Sequence, residues 1–85
     1  MGKYEKLINT ILSGRNDQSI RFTELTHLLS VLGFNERING DHHIFYRQGI
    51  EEILNLQPKG SQAKAYQVKQ VRNIILKYRM EGPNE

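Results

Sequence analysis

Two adjacent histidines, His42 and His43, sit in the segment Gly40-Asp41-His42-His43-Ile44-Phe45 and are the side chains of this chain best suited to chemistry. Imidazole titrates at about pH 6.5 when unperturbed, so it can both accept and donate a proton near neutrality. It is also a metal ligand. Successive side chains of a strand point to opposite faces, however, so in a strand these two histidines cannot grip one ion together, and no metal site is expected. The third histidine, His27, falls on the polar face of a helix as an ordinary solvated side chain. The rival reading is structural, with the pair hydrogen-bonded at a strand edge. Other chemistries lack their residues. No cysteine is present, which excludes disulfides, Cys-ligated zinc or iron–sulfur sites and thiol nucleophiles. Ser13, Ser19, Ser30 and Ser61 lie in no nucleophile-elbow context, and no glycine-rich phosphate cradle occurs.

The elements that must position the histidines follow from periodicity. Tyr4, Leu7, Ile8, Ile11 and Leu12 repeat at helical spacing, which predicts a helix over about 3–13 that stops at Ser13-Gly14. Gly14 to Ser19 reads as a polar loop. Leu25, Leu28, Leu29 and Leu32 mark a second helix, with Thr23 as its cap, Gly33 as its C′ residue and Phe34 at C″, placed to pack on Leu29. The period then changes to two. Phe34, Glu36 and Ile38 alternate with Asn35, Arg37 and Asn39, and Asn39-Gly40 is a strong hairpin signal. A second strand is predicted over about His42–Arg47 and a turn at Gln48-Gly49. A third strand covers about Glu52–Gln57, with Leu54 and Leu56 on one face and Ile53 and Asn55 on the other. Pro58 ends it. Lys59 to Ala65 reads as an irregular basic loop, and a last helix carries Val68, Val71, Ile74, Ile75 and Tyr78 inward until Gly82-Pro83. The tail 81–85 should fray.

The order α-α-β-β-β-α implies a single α+β domain over 1–85 with its core over about 21–78. It should be two-layered, a three-stranded antiparallel sheet with helices on one face. The open face is where the second-strand position of His43 is expected, and where Phe45 or Tyr46 could stack on a base. At 85 residues the core is thin and has no room for a large cofactor. The longest apolar runs, such as Ile74-Ile75-Leu76, are far too short to span a bilayer, and no apolar leader opens the chain, so a cytoplasmic protein is expected. Twelve Lys and Arg oppose nine Asp and Glu, a formal charge of +3. Their distribution says more. From Lys59 to Arg79 the chain carries Lys59, Lys64, Lys69, Arg72, Lys77 and Arg79 and no acid, a track that favours a phosphate-rich partner, although a solvated basic helix would read the same.

The glycine-ended helix with Phe34, the short strand, Gly40-x-His42-His43-Ile44-Phe45, two further strands and a closing helix together resemble the HicA toxins of bacterial HicA–HicB toxin–antitoxin pairs. The likeness covers about Arg21 to Tyr78, and Asp41 stands where that family usually has Ser. The resemblance implies a fold similar to the double-stranded-RNA-binding domain, metal-independent cleavage of mRNA without a cofactor, and a HicB-like antitoxin as protein partner. It assigns the catalytic role to His43, the second histidine, with His42, Asp41 and Gly40 in support. The family's basic stretch after the third strand is only partly kept here, as Pro58-Lys59. Arg47, Lys59 and Lys64 are the candidate phosphate ligands, extended by Lys69 and Arg72. The first helix looks like an N-terminal extension. Asp41 has two readings. Within the strand its carboxylate would share a face with His43 and favour the imidazolium; within the turn it would only bond nearby backbone N–H groups.

Overall fold

Leu25, Leu28 and Leu29 are buried from water, and the helix that carries them contributes to one continuous apolar core. The computed structural model describes residues 4–80. In chain order the elements are α1 (Glu5–Ser13), α2 (Phe22–Val31), β1 (Asn35–Asn39), β2 (His42–Arg47), β3 (Ile50–Leu56) and α3 (Ala65–Lys77), with a single 3-10 turn at Asp17–Ser19. The strands form an antiparallel meander in the order β1-β2-β3. Phe45, Leu54 and Leu56 project from it into one continuous core with Ile8 and Ile11 of α1, the leucines of α2 and Val68, Val71, Ile74 and Ile75 of α3. All three helices therefore contribute to the covered side of the sheet, as the α+β reading expects.

Helix ends are set by local bonds. At the end of α2 the Phe34 N–H donates to Leu29 O (3.0 Å) and the Gly33 N–H to Ser30 O (3.0 Å). This is the paired geometry of a Schellman end, and it needs the left-handed φ of +95° that Gly33 adopts without strain. At its start, Arg21 rather than Thr23 occupies the cap position, and Glu24 reaches back to accept the Arg21 N–H (3.2 Å). Helix α3 stops at Lys77, well before Gly82, because Arg79 turns left-handed (φ +52°) and Met80 N–H donates to Ile75 O (2.9 Å). Gly82-Pro83 and the expected fraying of 81–85 lie outside the described residues. The β1–β2 turn also differs from expectation. Asn39 pairs with His42, so the two turn residues are Gly40 and Asp41, with positive φ at Gly40 alone. Asp41 is therefore a turn residue and not part of β2.

Three polar ties fasten α3 to its neighbours. The Arg72 guanidinium donates through Nη1 to Asp17 Oδ1 (2.9 Å) and Oδ2 (3.1 Å) and to Ile11 O (3.1 Å), joining α3 to the end of α1 and to the 3-10 turn. Gln67 is fully buried, and with its carboxamide oriented to satisfy both ends it donates to Gln57 O (3.1 Å) and accepts from Gln57 N–H (2.9 Å). It thereby continues the backbone pairing past the end of β3. Glu52 accepts from Lys77 Nζ (2.7 Å) and from Tyr78 Oη (2.6 Å). These two bonds, Lys77 first, hold its carboxyl well below the usual range, at about 2, while the Glu52 carboxylate raises Lys77.

Two outcomes follow for stability. Arg72→Met should lower unfolding free energy by about 1.5–3 kcal/mol, since it strands a mostly buried carboxylate and a carbonyl, with Asp17→Asn costing less, as read by urea denaturation. The folded pKa of Glu52 lies below its unfolded value, so its contribution is present above about pH 4.5 and is lost as pH falls toward 2. Glu52→Gln should accordingly flatten the acid limb of melting temperature against pH over that window.

Candidate functional site

Residues 43 and 45 of β2 share a face, and Phe45 is 0 % exposed in the core. His43 therefore points to the helix-covered side of the sheet, at its rim, and not to the open side expected from the sequence. The physical reason is the choice of anchor. Phe45 pairs with Leu54 and His43 with Leu56, both buried, so the Phe45 set turns inward and the His42, Ile44 and Tyr46 set outward. For the same reason Phe45 cannot stack on a base, whereas Tyr46 is exposed on the open face.

At the rim His43 is held from two sides. Its Nδ1 lies 2.6 Å from Glu36 Oε2, a contact in which the carboxylate can only accept, so the ring N–H is on Nδ1. Its ring meets the Phe22 ring edge-on, with centroids 4.9 Å apart and planes at 73°. Among the described residues nothing bonds Nε2, and the His43 side chain keeps 23 % of its surface. A carboxylate on one ring nitrogen and an accessible second nitrogen are the parts of an acid/base histidine, because the carboxylate fixes tautomer and ring orientation and steadies the imidazolium when it forms. The packed aromatic edge limits rotation.

Glu36 is the residue that reading the sequence missed, although a signal was there. Whether the hairpin turns at Asn39-Gly40 or at Gly40-Asp41, residues 36 and 43 fall on the same face, directly opposed in the first register and diagonal in the observed one, where Glu36 faces Phe45 and Ile38 faces His43. A diagonal neighbour is within reach of a glutamate side chain. The carboxylate beside His43 is thus Glu36, while Asp41 remains in the turn.

His42 lies on the opposite face, its Nδ1 2.9 Å from Asn55 Oδ1, so the two histidines do not converge. Among the described residues no three His, Asp or Glu side chains gather as metal ligands would. His27 is bonded rather than freely solvated, with Nε2 2.7 Å from Tyr4 Oη. The basic candidates divide into two groups. Arg72, mostly buried and committed to Asp17, is a structural tie rather than a free phosphate ligand, whereas Arg47 donates once to Leu32 O (3.0 Å) at the end of α2 and is otherwise exposed. Lys59, Lys64 and Lys69 remain on the surface side. The loop bearing the first two is more ordered than expected: Lys59 and Gln62 exchange backbone bonds (2.8 and 3.1 Å), Ser61 O accepts from Phe22 N–H (3.0 Å) and Ala63 N–H donates to Ile20 O (2.9 Å). Phe22 thus touches the His43 ring through its side chain and the basic loop through its backbone, and brings the two together. No helix of the described residues is long and apolar enough to cross a membrane.

No family model, curated protein or solved structure matches this chain.

The geometry predicts that neutral His43 is the Nδ1–H tautomer. Long-range 15N–1H correlation spectra should show a protonated Nδ1 and a bare Nε2, and Glu36→Ala should shift the ring toward a tautomer mixture.

Proposed function

We propose that this protein is a small metal-independent endoribonuclease of the HicA toxin type, with His43 as its acid/base residue. The observation that carries the reading is the Glu36–His43 pair, with its bonded Nδ1 and accessible Nε2, packed on Phe22, whose backbone N–H in turn ties the lysine-bearing loop at Ser61 O. The Gly40-x-His42-His43-Ile44-Phe45 segment and the α-β-β-β-α order of the core support the family likeness, as does the basic track from Lys59.

In this mechanism His43 Nε2 takes the proton of a ribose 2′-hydroxyl as its oxygen bonds to phosphorus. The P–O5′ bond breaks, and the proton returns from the imidazolium to the departing 5′-oxygen, directly or through water. Glu36 steadies the imidazolium between these events, and Lys59 and Lys64 offset charge on the phosphorane. His42, Gly40 and Asp41 act only by shaping the hairpin that presents His43. The substrate is mRNA, and a HicB-like antitoxin would silence the enzyme by covering the His43 rim.

A second reading keeps the RNA and drops the chemistry. His43 is packed on Phe22 and bonded to Glu36, which is also what a histidine needs if it merely clips β1 and β2 to the start of α2. Substitution separates the two. With EDTA present, His43→Ala should cut unstructured RNA about 10²- to 10⁴-fold more slowly than the parent, and His42→Ala should change the rate only slightly. Matched circular dichroism spectra would show that the fold persists. Equal and small effects of the two substitutions would favour the binding module.

A further inference from the structure

Beside the basic loop lies a concavity of about 1060 Å³, lined by Gln18 of the 3-10 turn, Lys59, Ser61, Lys64 and Tyr66 among others, with no carboxylate in its wall. Tyr66 is 55 % exposed, although its neighbours Gln67 and Val68 are completely buried. It therefore stands outside the apolar stripe of α3 and contributes nothing to the core cluster. Lone exposed aromatics are common on protein surfaces, but this one rises from a concave wall between lysines. Lys69 follows it by three residues, about one helical turn along the same side of α3. The first turn of α3 carries no acid to offset the positive end of the helix. Ser61, in the same wall, is the residue whose carbonyl accepts from Phe22, the ring on which His43 packs.

The geometry points to Tyr66 as a base-stacking shelf that selects single-stranded RNA, with Lys59, Lys64 and Lys69 on the flanking phosphates. This rests on the ribonucleic-acid reading above and adds to it the substrate class and a specificity residue. An aromatic face presented between cations takes an unpaired base of any identity, and a base locked in a duplex cannot offer its face in the same way. Positive charge along the wall and an acid-free lining match a polyanionic strand rather than a protein surface of mixed charge. The shelf therefore binds with little sequence preference. The wall that carries Tyr66 is tied through Ser61 O to the Phe22 N–H, and Phe22 packs on His43, so a strand stacked on Tyr66 would extend from there toward the His43 rim.

The test uses the full chain carrying His43→Ala, so that RNA is held without being cut. Fluorescence anisotropy of a labelled single-stranded oligonucleotide should show Tyr66→Ala binding roughly 5- to 150-fold more weakly, the range of one lost stack, with the slope of log K against log salt unchanged. Tyr66→Phe should bind as the parent does, and the same sequence as a duplex should bind weakly to every variant. The chain has no tryptophan, so Tyr66→Trp supplies a single reporter indole that the single strand should quench at saturation. Equal affinity of Tyr66→Ala and the parent, or an unquenched indole in a saturated complex, overturns the shelf while leaving the ribonuclease reading intact. A parent that binds the oligonucleotide but cuts nothing before His43 is replaced removes the catalytic claim and leaves the shelf standing on the Tyr66 difference. A parent that binds no RNA overturns both.

Discussion

Burial of Phe45 decides which way the two histidines of β2 point. Side chains alternate from His42 to Phe45, and once Phe45, the largest buried side chain of β2, enters the core opposite Leu54, His43 must lie on the helix-covered face and His42 on the open one. A register slip of one residue would expose Phe45, at a cost of about 1.5–3 kcal/mol for the lost burial alone, and would move His43 away from both Glu36 and Phe22. The same burial that stabilises the domain therefore sets the candidate site. His43 lands at the rim because its partner on β1, Ile38, lies beyond the cover of the helices and is 61 % exposed.

What keeps that rim in place is largely polar and distant in sequence. Phe22 can present its ring to His43 because Ser61 O and Ile20 O pin the basic loop against the start of α2, and because Glu24 closes the helix on the Arg21 N–H. Arg72 and Gln67 fasten α3 on its two sides, to the 3-10 turn and to the backbone after β3. In a domain this small such ties replace the area that a larger core would supply. Lys59 and Lys64, which make no internal bond of this kind, both lie on the segment that Phe22 ties to the start of α2.

Element types, their order and the Gly33-Phe34 helix end were legible because each is a local pattern: apolar spacing, alternation, and a glycine followed by an aromatic. The face of His43 was not. Both alternating sets of β2 contain apolar residues, Phe45 in one and Ile44 with Tyr46 in the other, and only contact with Leu54 and Leu56 settles which turns inward. Arg72 looked like a nucleic-acid ligand because its partner Asp17 lies 55 positions away, and a charge count cannot separate a strut from a free cation. Gln67 gave no sign of burial, since its partner is backbone. Glu36 could have been found by pairing faces across the hairpin, because either turn puts it on the side of His43.

The account centres on a histidine that moves a proton between a ribose hydroxyl and a leaving oxygen. Mass spectrometry of the ends left when the protein cuts a defined single-stranded RNA in EDTA tests it most directly. The account predicts 2′,3′-cyclic phosphate and 5′-hydroxyl ends, and no cut where a single 2′-deoxy nucleotide replaces the ribose at the scissile position. Ends bearing 5′-phosphate and 3′-hydroxyl, or undiminished cutting of the deoxy-substituted strand, would contradict it.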